Sequence, residues 1–163
     1  MTESEFNEIY PAGVDSSGRP YATSYSYAIA LGDEVKALDR GSVAIGHGVV
    51  NKGKYSLATG SGNTNEAESS FVTGGGNLVS KTSYASITAG QSNIMTAEKS
   101  LVVGDNNSIG STGYHSIVSG EYNKDMFAKD SLITGSNNKV QGDGVIVGGN
   151  YNTVQLKYGI VAG

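Results

Sequence analysis

A glycine recurs about every 14 residues through most of this chain, and this repeat constrains the fold more than any other feature. We call these residues the corner glycines. They are Gly32, Gly46, Gly60, Gly74, Gly90, Gly104, Gly120, Gly135, Gly148 and Gly163, with Gly149 as an alternative to Gly148 in the register. A regular period of this length is typical of a solenoid, in which short coils stack on one another along an axis.

Three columns of similar residues precede the corner glycines. The serine column, four positions before the glycine, is Ser42, Ser56, Ser70, Ser86, Ser100, Ser116 and Ser131. The bulky column, three positions before it, is Ile29, Val43, Leu57, Phe71, Ile87, Leu101, Ile117, Leu132, Val145 and Ile160. The small column, two positions before it, is Ala30, Ala44, Ala58, Val72, Thr88, Val102, Val118, Ile133, Ile146 and Val161. Such short runs of β-branched and apolar residues that end in glycine predict β-strands.

The residues after each glycine predict a turn and a second, shorter strand. An asparagine column follows three positions after the glycine, at Asn63, Asn77, Asn93, Asn107, Asn123 and Asn138. Glycine permits a positive φ, and asparagine tolerates left-handed backbone. Apolar residues of the second strand are Val35, Val50, Leu78, Val79, Ile94, Met95, Ile109 and Val140. We expect the loop after this strand to absorb the two longer spacings, which follow Gly74 and Gly104. About ten coils at ~4.8 Å would make a rod of roughly 50 Å.

Alternation along the strand assigns the bulky and small columns to opposite faces. We expect the bulky column to fill the coil and the small column to face outward. Because the small column is also mostly apolar, it would form an exposed apolar stripe that another molecule has to cover. The sequence therefore predicts an oligomer.

The strand Gly41-Ser42-Val43-Ala44-Ile45-Gly46 resembles the head repeat of trimeric autotransporter adhesins, the YadA-like heads. Looser copies are Ser26 to Gly32, Ser56 to Gly60 and Ser131 to Gly135. The resemblance covers residues 24–163. It implies an all-β fold, a left-handed parallel β-roll of ~14-residue coils that assembles as a homotrimer, intertwined or side by side. Similar repeats also occur in the fibres of bacteriophages.

Several features favour a virion fibre over a bacterial adhesin. The chain shows neither a signal peptide at its start, nor a C-terminal membrane anchor, nor a heptad stalk, and its turns carry asparagine where adhesin heads often have alanine or serine. We therefore expect a structural virion protein, a head or tail fibre assembled in the host cytoplasm. The alternative is the head domain of an adhesin on a bacterial cell surface. The repeat continues to Gly163, so we expect either further chain or a partner over the last coil.

The chain consists of two regions. Residues 1–23 do not fit the repeat, whereas residues 24–163 form the repeat domain. The first region is interpreted either as a frayed terminus or as an extended anchor that binds a capsid or tail protein. The resemblance to phage fibres favours the anchor.

Composition and motifs argue against other functions. The net charge is −4 and lysines and arginines are scattered, so we expect no nucleic-acid partner. No apolar run reaches the ~18 residues of a membrane span, so we expect no membrane insertion. Cysteine is absent. The histidines, His47 and His115, occupy different repeat positions, and Asp33, Glu34 and Asp105 are interpreted as solvated turn residues.

The glycine pairs Gly46/Gly48 and Gly60/Gly62 imitate phosphate loops but precede no helix. The glycines Gly74 to Gly76, before Asn77, lack the aspartates of calcium-binding β-rolls. We therefore predict no enzyme, no catalytic residue, no cofactor and no metal.

Five tyrosines fall just before the strands, where the coils turn: Tyr25, Tyr27, Tyr55, Tyr84 and Tyr114. One interpretation is that they pack the corners or the seam of the trimer. The other is that they form a stacking surface for a host-surface glycan. A host-surface protein is a further candidate partner.

Overall fold

A computed structural model describes residues 27–125 and 127–163, together with residues 13–14 and 20–21. The last two form a short antiparallel pair, Gly13–Val14 with Pro20–Tyr21. The prediction of an anchor in residues 1–23 and the placement of Tyr25 therefore fall largely outside the described residues.

The described repeat is a parallel β-solenoid, as the sequence predicts. Each coil contributes one long and one short strand. The long strands are Ile29–Asp33, Val43–His47, Leu57–Ser61, Phe71–Gly75, Ile87–Gln91, Leu101–Asp105, Ile117–Glu121, Leu132–Ser136, Val145–Gly148 and Gly159–Ala162. The short strands are Lys36–Ala37, Val50–Asn51, Thr64–Asn65, Leu78–Val79, Ile94–Met95, Ser108–Ile109, Lys124–Asp125, Lys139–Val140 and Thr153–Val154.

The two sets of strands form two separate sheets. Ten long strands make one parallel sheet, the long-strand sheet, and nine short strands make the other, the short-strand sheet. In both sheets the strands are paired in the order of the chain, so each coil lies directly on the one before it. The described part of the chain thus contains about nine turns of a solenoid, which confirms the predicted fold class.

The strand pairing selects Gly149 over Gly148 as the corner glycine of its coil. Leu132 pairs with Ile146 and Ile133 pairs with Val147, which moves the bulky and small columns one residue along in this coil. Gly149 also has the positive φ of the other corner glycines, at 103°. The bulky column therefore contains Ile146 in place of Val145, and the small column contains Val147 in place of Ile146.

The longer coils confirm the prediction about loop length. In the coil that begins at Gly74, two extra residues, Lys81 and Thr82, lie between the short strand and the next long strand. The coil that begins at Gly104 is extended in the same segment. Both residues of the first insertion are exposed, so the extra length projects into solvent and leaves the two sheets in register.

The corner glycines are required by the close stacking of the coils. Gly90 has φ of 112°, and a Cβ atom placed on it would lie 2.0 Å from the carbonyl oxygen of Gly104 in the next coil. A side chain at this position would therefore both clash with backbone and occupy a conformation that L residues rarely adopt.

The asparagine column forms a continuous hydrogen-bonded ladder along the rod. Asn77 is representative: its Nδ2 donates to the carbonyl oxygens of Thr73 at 3.0 Å and Gly90 at 2.9 Å. Its Oδ1 accepts hydrogen bonds from the backbone N and the Nδ2 of Asn93, at 3.0 and 3.1 Å. The ladder starts at Asn63 and reaches Asn152, which the corrected register adds to the column. In the first two coils Val35 and Val49 occupy the same position and are buried.

The prediction of which column fills the coil is wrong. The small column is buried from Ala44 to Val147, whereas the bulky column is half-exposed or exposed on the outer face of the long-strand sheet. The physical reason is alternation from the serines: the small column lies two residues after the serine column, so both share one face, and the serine hydroxyls bond to backbone inside the coil, as Ser86 Oγ does to the carbonyl oxygen of Ala97 at 3.1 Å. The serine column shares the inner face and is also buried.

Hydrogen bonds satisfy the buried serines. Ser70 Oγ donates to the carbonyl oxygen of Ala67 at 2.8 Å, which closes the turn before its strand. From Ser86 to Ser116, each serine hydroxyl also accepts a hydrogen bond from the backbone N of the next serine in the column. For example, Ser100 N donates to Ser86 Oγ at 3.3 Å. Among the described residues, one buried side-chain polar atom without a partner is Thr88 Oγ1, in the small column between Val72 and Val102.

Candidate interaction surface

The outer face of the long-strand sheet carries an apolar strip along the whole rod. It is the bulky column, whose side chains point away from the coil. Its members are Ile29, Val43, Leu57, Phe71, Ile87, Leu101, Ile117, Leu132, Ile146 and Ile160. Near the middle of the rod Ile87 is 46% exposed, which is high for an isoleucine in a central strand. A continuous apolar strip of this kind is typical of surfaces at which proteins bind other molecules.

The second outward column on this face is also uncharged. It is Leu31, Ile45, Thr59, Thr73, Ala89, Val103, Ser119, Thr134, Gly148 and Ala162. Two of its threonines, Thr59 and Thr73, are hydrogen-bonded to each other through their hydroxyls at 3.0 Å. Within residues 29–162, the outward positions of the long strands up to the corner glycine therefore carry no charge, which lowers the cost of removing this face from water.

The outer face of the short-strand sheet is different. Its outward residues are Lys36, Val50, Thr64, Leu78, Ile94, Ser108, Lys124, Lys139 and Thr153. Leu78 and Ile94 are exposed, but lysines interrupt the column towards both ends. A charge that would have to be buried without a partner is costly, so this face is the less suitable of the two for close packing.

Tyrosines line one corner of the solenoid, at the entry to the long strands. Tyr27, Tyr55, Tyr84 and Tyr114 are all exposed, at 91, 56, 45 and 37%. The ring of Tyr55 packs over Gly41 of the preceding coil, where an added Cβ would lie 2.8 Å from its Cδ1. The guanidinium of Arg40 lies 5.8 Å from the centroid of the same ring. A shallow groove between this corner and the bulky column is bordered by Tyr55, Phe71 and Ile87.

Tyr114 lies in a cluster with charged neighbours. The ring of His115 meets it edge-on at 5.1 Å, and the ammonium of Lys129 lies 5.7 Å from its centroid. The pKa of Lys129 is raised above its ordinary value. The main cause is a hydrogen bond to Tyr114, followed by the charge interactions with Tyr114 and with Asp143. Lys129 is therefore held as a cation beside the ring.

The histidines, for which the sequence predicts no catalytic or metal-binding role, lie apart on the surface of the rod. His47 lies 3.5 Å from Asp33, and His115 lies 3.1 Å from Asp130, on different corners of the rod. Both pairs are largely exposed. In the described ranges, no three His, Asp or Glu residues come together as a group that could hold a metal ion. The glycines Gly48, Gly62 and Gly76 lie in the turn after the long strands, with φ near 60°.

Neither side of the sheets is covered by helical structure in the described part of the chain. Consistently, none of the described residues forms a helix long and apolar enough to cross a membrane.

Two features of this surface escaped the sequence interpretation. The outward direction of the bulky column was missed because alternation shows that two columns face opposite ways but not which one is inside. The spacing of Tyr27, Tyr55, Tyr84 and Tyr114, one in every second coil, was visible in the sequence but becomes meaningful only once the coils are known to stack in register.

No protein-family model matches this sequence, and none of the curated proteins matches it significantly.

Proposed function

We propose that this chain is a structural virion protein, a homotrimeric bacteriophage fibre that residues 1–23 attach to a capsid or tail protein. The observation that carries the proposal is the uncharged apolar strip along the outer face of the long-strand sheet. A single rod leaves this strip in water, whereas a rod packed against copies of itself buries it. The resemblance of the repeat to those of phage fibres supports the same function.

Symmetry favours a closed assembly. Each rod has one such strip, on one side, so copies that turn the strip towards a common axis cover it completely and leave no open end for further addition. The short-strand sheet, with its lysines, then faces outward into solvent. The number three rests on the resemblance to the trimeric adhesin heads.

The first test is the molar mass of the purified chain in solution, measured by light scattering with and without residues 1–23. We expect a mass near three times 16.8 kDa for the full chain, and three times the mass of the shortened chain for the truncated form. A trimer that survives the truncation supports assembly through the repeat domain and leaves the N-terminal segment available as an anchor. A monomer, or a trimer that is lost on truncation, would contradict the proposal.

A pair of matched substitutions identifies the interface. Ile87→Glu places a charge in the middle of the bulky column, whereas Ile94→Glu places one on the short-strand sheet. The two side chains are similarly exposed, at 46 and 43%. We expect Ile87→Glu to dissociate the trimer, because the carboxylate would be buried without a partner, and Ile94→Glu to leave it intact. The reverse result would place the interface on the other sheet.

The alternative function is the head domain of a trimeric adhesin on a bacterial surface. The same strip and the same resemblance support it, so the oligomeric state does not separate the two. Immunogold electron microscopy with antibodies against the purified chain separates the two functions. Labelling of virus particles supports the fibre, and labelling of uninfected cells supports the adhesin.

A further inference from the structure

Exposed tyrosines lie along one corner of the rod, and four of them, before Tyr158 of the last coil, are two coils apart. Tyr27, Tyr55, Tyr84 and Tyr114 precede the first, third, fifth and seventh long strands. They occupy two adjacent positions of the coil, because Tyr27 and Tyr55 lie five residues before their corner glycine and Tyr84 and Tyr114 lie six residues before it. Because parallel coils are spaced ~4.8 Å apart, successive rings are separated by about 10 Å along the axis. We call these four residues the tyrosine row. Its spacing is set by the stacking of the backbone and not by loop flexibility.

The backbone at this corner is held by a ladder of hydrogen bonds from one coil to the next. The backbone N of Tyr55 donates to the carbonyl oxygen of Arg40 at 2.9 Å. The carbonyl oxygens of Tyr84 and Tyr114 accept from Lys99 N at 2.8 Å and Asp130 N at 3.1 Å. The rings are therefore mounted on a rigid edge, and a ligand that binds them would not have to order the protein first.

The coils between the tyrosines present polar side chains at the same corner. Glu68 and Ser69 lie between Tyr55 and Tyr84, and Glu98 and Lys99 lie between Tyr84 and Tyr114. All four are exposed. The corner thus alternates between aromatic rings and groups that donate or accept hydrogen bonds, over a length of about 30 Å.

This alternation matches the chemistry of an extended sugar chain. A pyranose ring has an apolar face of C–H groups, which stacks on an aromatic ring, and a rim of hydroxyls, which hydrogen-bond to carboxylates, ammonium groups and hydroxyls. Tyrosine is suited to this role because it offers a large rigid surface with little loss of side-chain entropy. The distance between successive rings is of the order of one disaccharide unit of an extended chain.

We propose that the tyrosine row binds a linear oligosaccharide that lies parallel to the axis of the rod, with every second sugar stacked on a ring. The proposal specifies a ligand for the host attachment of the fibre proposed above. The site, however, is complete within one chain and does not depend on the fibre assignment.

The experiment measures binding of the intact chain to an array of linear β-linked oligosaccharides of glucose and N-acetylglucosamine, in increasing lengths, together with bacterial surface polysaccharides. For any oligosaccharide that binds, calorimetric titration gives the affinity. We expect the affinity to increase when the oligosaccharide becomes long enough to reach a second ring. Absence of binding to every linear glycan on the array would overturn the proposal.

Substitutions then test the site. The variant Tyr55→Ala with Tyr84→Ala removes two neighbouring rings of the row, and we expect about a three- to tenfold loss of affinity for each ring. The matched control, Tyr122→Ala with Tyr151→Ala, removes two exposed tyrosines from the turns that follow the long strands, and should bind normally. Tyr84→Phe keeps the ring and should retain most of the affinity.

Light scattering on the same variants separates this proposal from the assembly proposal. If the Tyr55 and Tyr84 variant loses glycan binding but keeps the molar mass of the unsubstituted chain, the row is a binding site. If its molar mass falls, the row is a packing element and the proposal fails. Equal loss of binding in the control variant would also overturn it. A monomeric unsubstituted chain that binds glycans would refute the trimer but not this site.

Discussion

The hydroxyl of Thr88 is an isolated polar atom in an otherwise apolar column. Its Oγ1 is buried without a hydrogen-bond partner, and the residues paired with Thr88 in the coils before and after it are Val72 and Val102. Burial of a hydroxyl that makes no hydrogen bond costs free energy, because the group loses its bonds to water. The column would therefore be more stable with a residue of the same shape and no hydroxyl.

We expect Thr88→Val to stabilise the protein by about 1 kcal/mol, because valine replaces the hydroxyl with a methyl group of similar size. Thermal unfolding followed by circular dichroism should show a Tm higher by about 2–4 °C. The control is Thr73→Val on the outer face, where the threonine hydroxyl is paired with Thr59, and which should give no such increase. A lower Tm for Thr88→Val would show that the hydroxyl has a partner, such as a bound water.

The columns also show what the residues of such a chain do and do not predict. Strand and turn follow from Ser, Gly and Asn at fixed positions, and both are confirmed. The direction of the bulky column does not follow from alternation. A better indicator was the serine column: Ser42 and Ala44 lie two apart, so they share a face, and the Ser42 hydroxyl bonds to the carbonyl oxygen of Asp39 in the turn before the strand. Isoleucine and phenylalanine at the intervening position had to lie outside.

Among the elements, the segment between the short strand and the next long strand is the one that varies in length. In the coil from Gly74 to Gly90 it contains the two additional residues Lys81 and Thr82. Both are exposed, and Thr82 Oγ1 donates to the carbonyl oxygen of Thr96 at 3.0 Å. The flanking residues keep the positions that they have in the shorter coils, with Ser83 buried like Ala97.

We expect deletion of Lys81 and Thr82 to be tolerated, since it converts a longer coil into one of 14 residues without changing either sheet. The variant should unfold cooperatively, within about 1 kcal/mol of the parent in urea titration. The matched deletion removes Gln91 and Ser92 from the corner after Gly90. It should prevent folding, because Ser92 N donates to the carbonyl oxygen of Gly75 and the deletion displaces Asn93 from the ladder. Similar stability of the two variants would contradict this distinction.

The register of the coil at Gly148 and Gly149 illustrates why the boundaries of an element are harder to predict than its existence. Two adjacent glycines offer two positions for the corner, and the residues before them, Val145, Ile146 and Val147, are all β-branched. The spacing to Asn152 distinguishes the two positions, because only Gly149 places an asparagine three residues later. Gly163 then follows Gly149 at the same interval as in the first coils.

At the scale of the whole molecule, the solenoid has no central core that all coils share. Each long strand pairs with the strand of the coil before and the coil after, and the buried residues form one narrow column from Ala28 to Val154. In such a structure the stability is approximately a sum over coils and their interfaces with neighbours. Removal of coils from an end should reduce stability gradually.

We expect a chain that ends at Ser136, and so lacks residues 137–163, to remain folded with a Tm lower by about 5–10 °C. The remaining coils keep both sheets and the asparagine ladder from Asn63 to Asn123. Circular dichroism and thermal unfolding provide the measurement. An unfolded product would show that the last coils are required for the others to form, which a solenoid with interactions between neighbours alone does not explain.

The hydrogen bonds of both sheets run along the axis of the rod, and this has a mechanical consequence. A force that pulls the two ends apart acts along those bonds and opens the coils one after another, instead of shearing many bonds at once. Each coil that opens releases about 14 residues, or on the order of 40 Å of chain beyond its own thickness. The rod would therefore lengthen stepwise under load, one coil at a time.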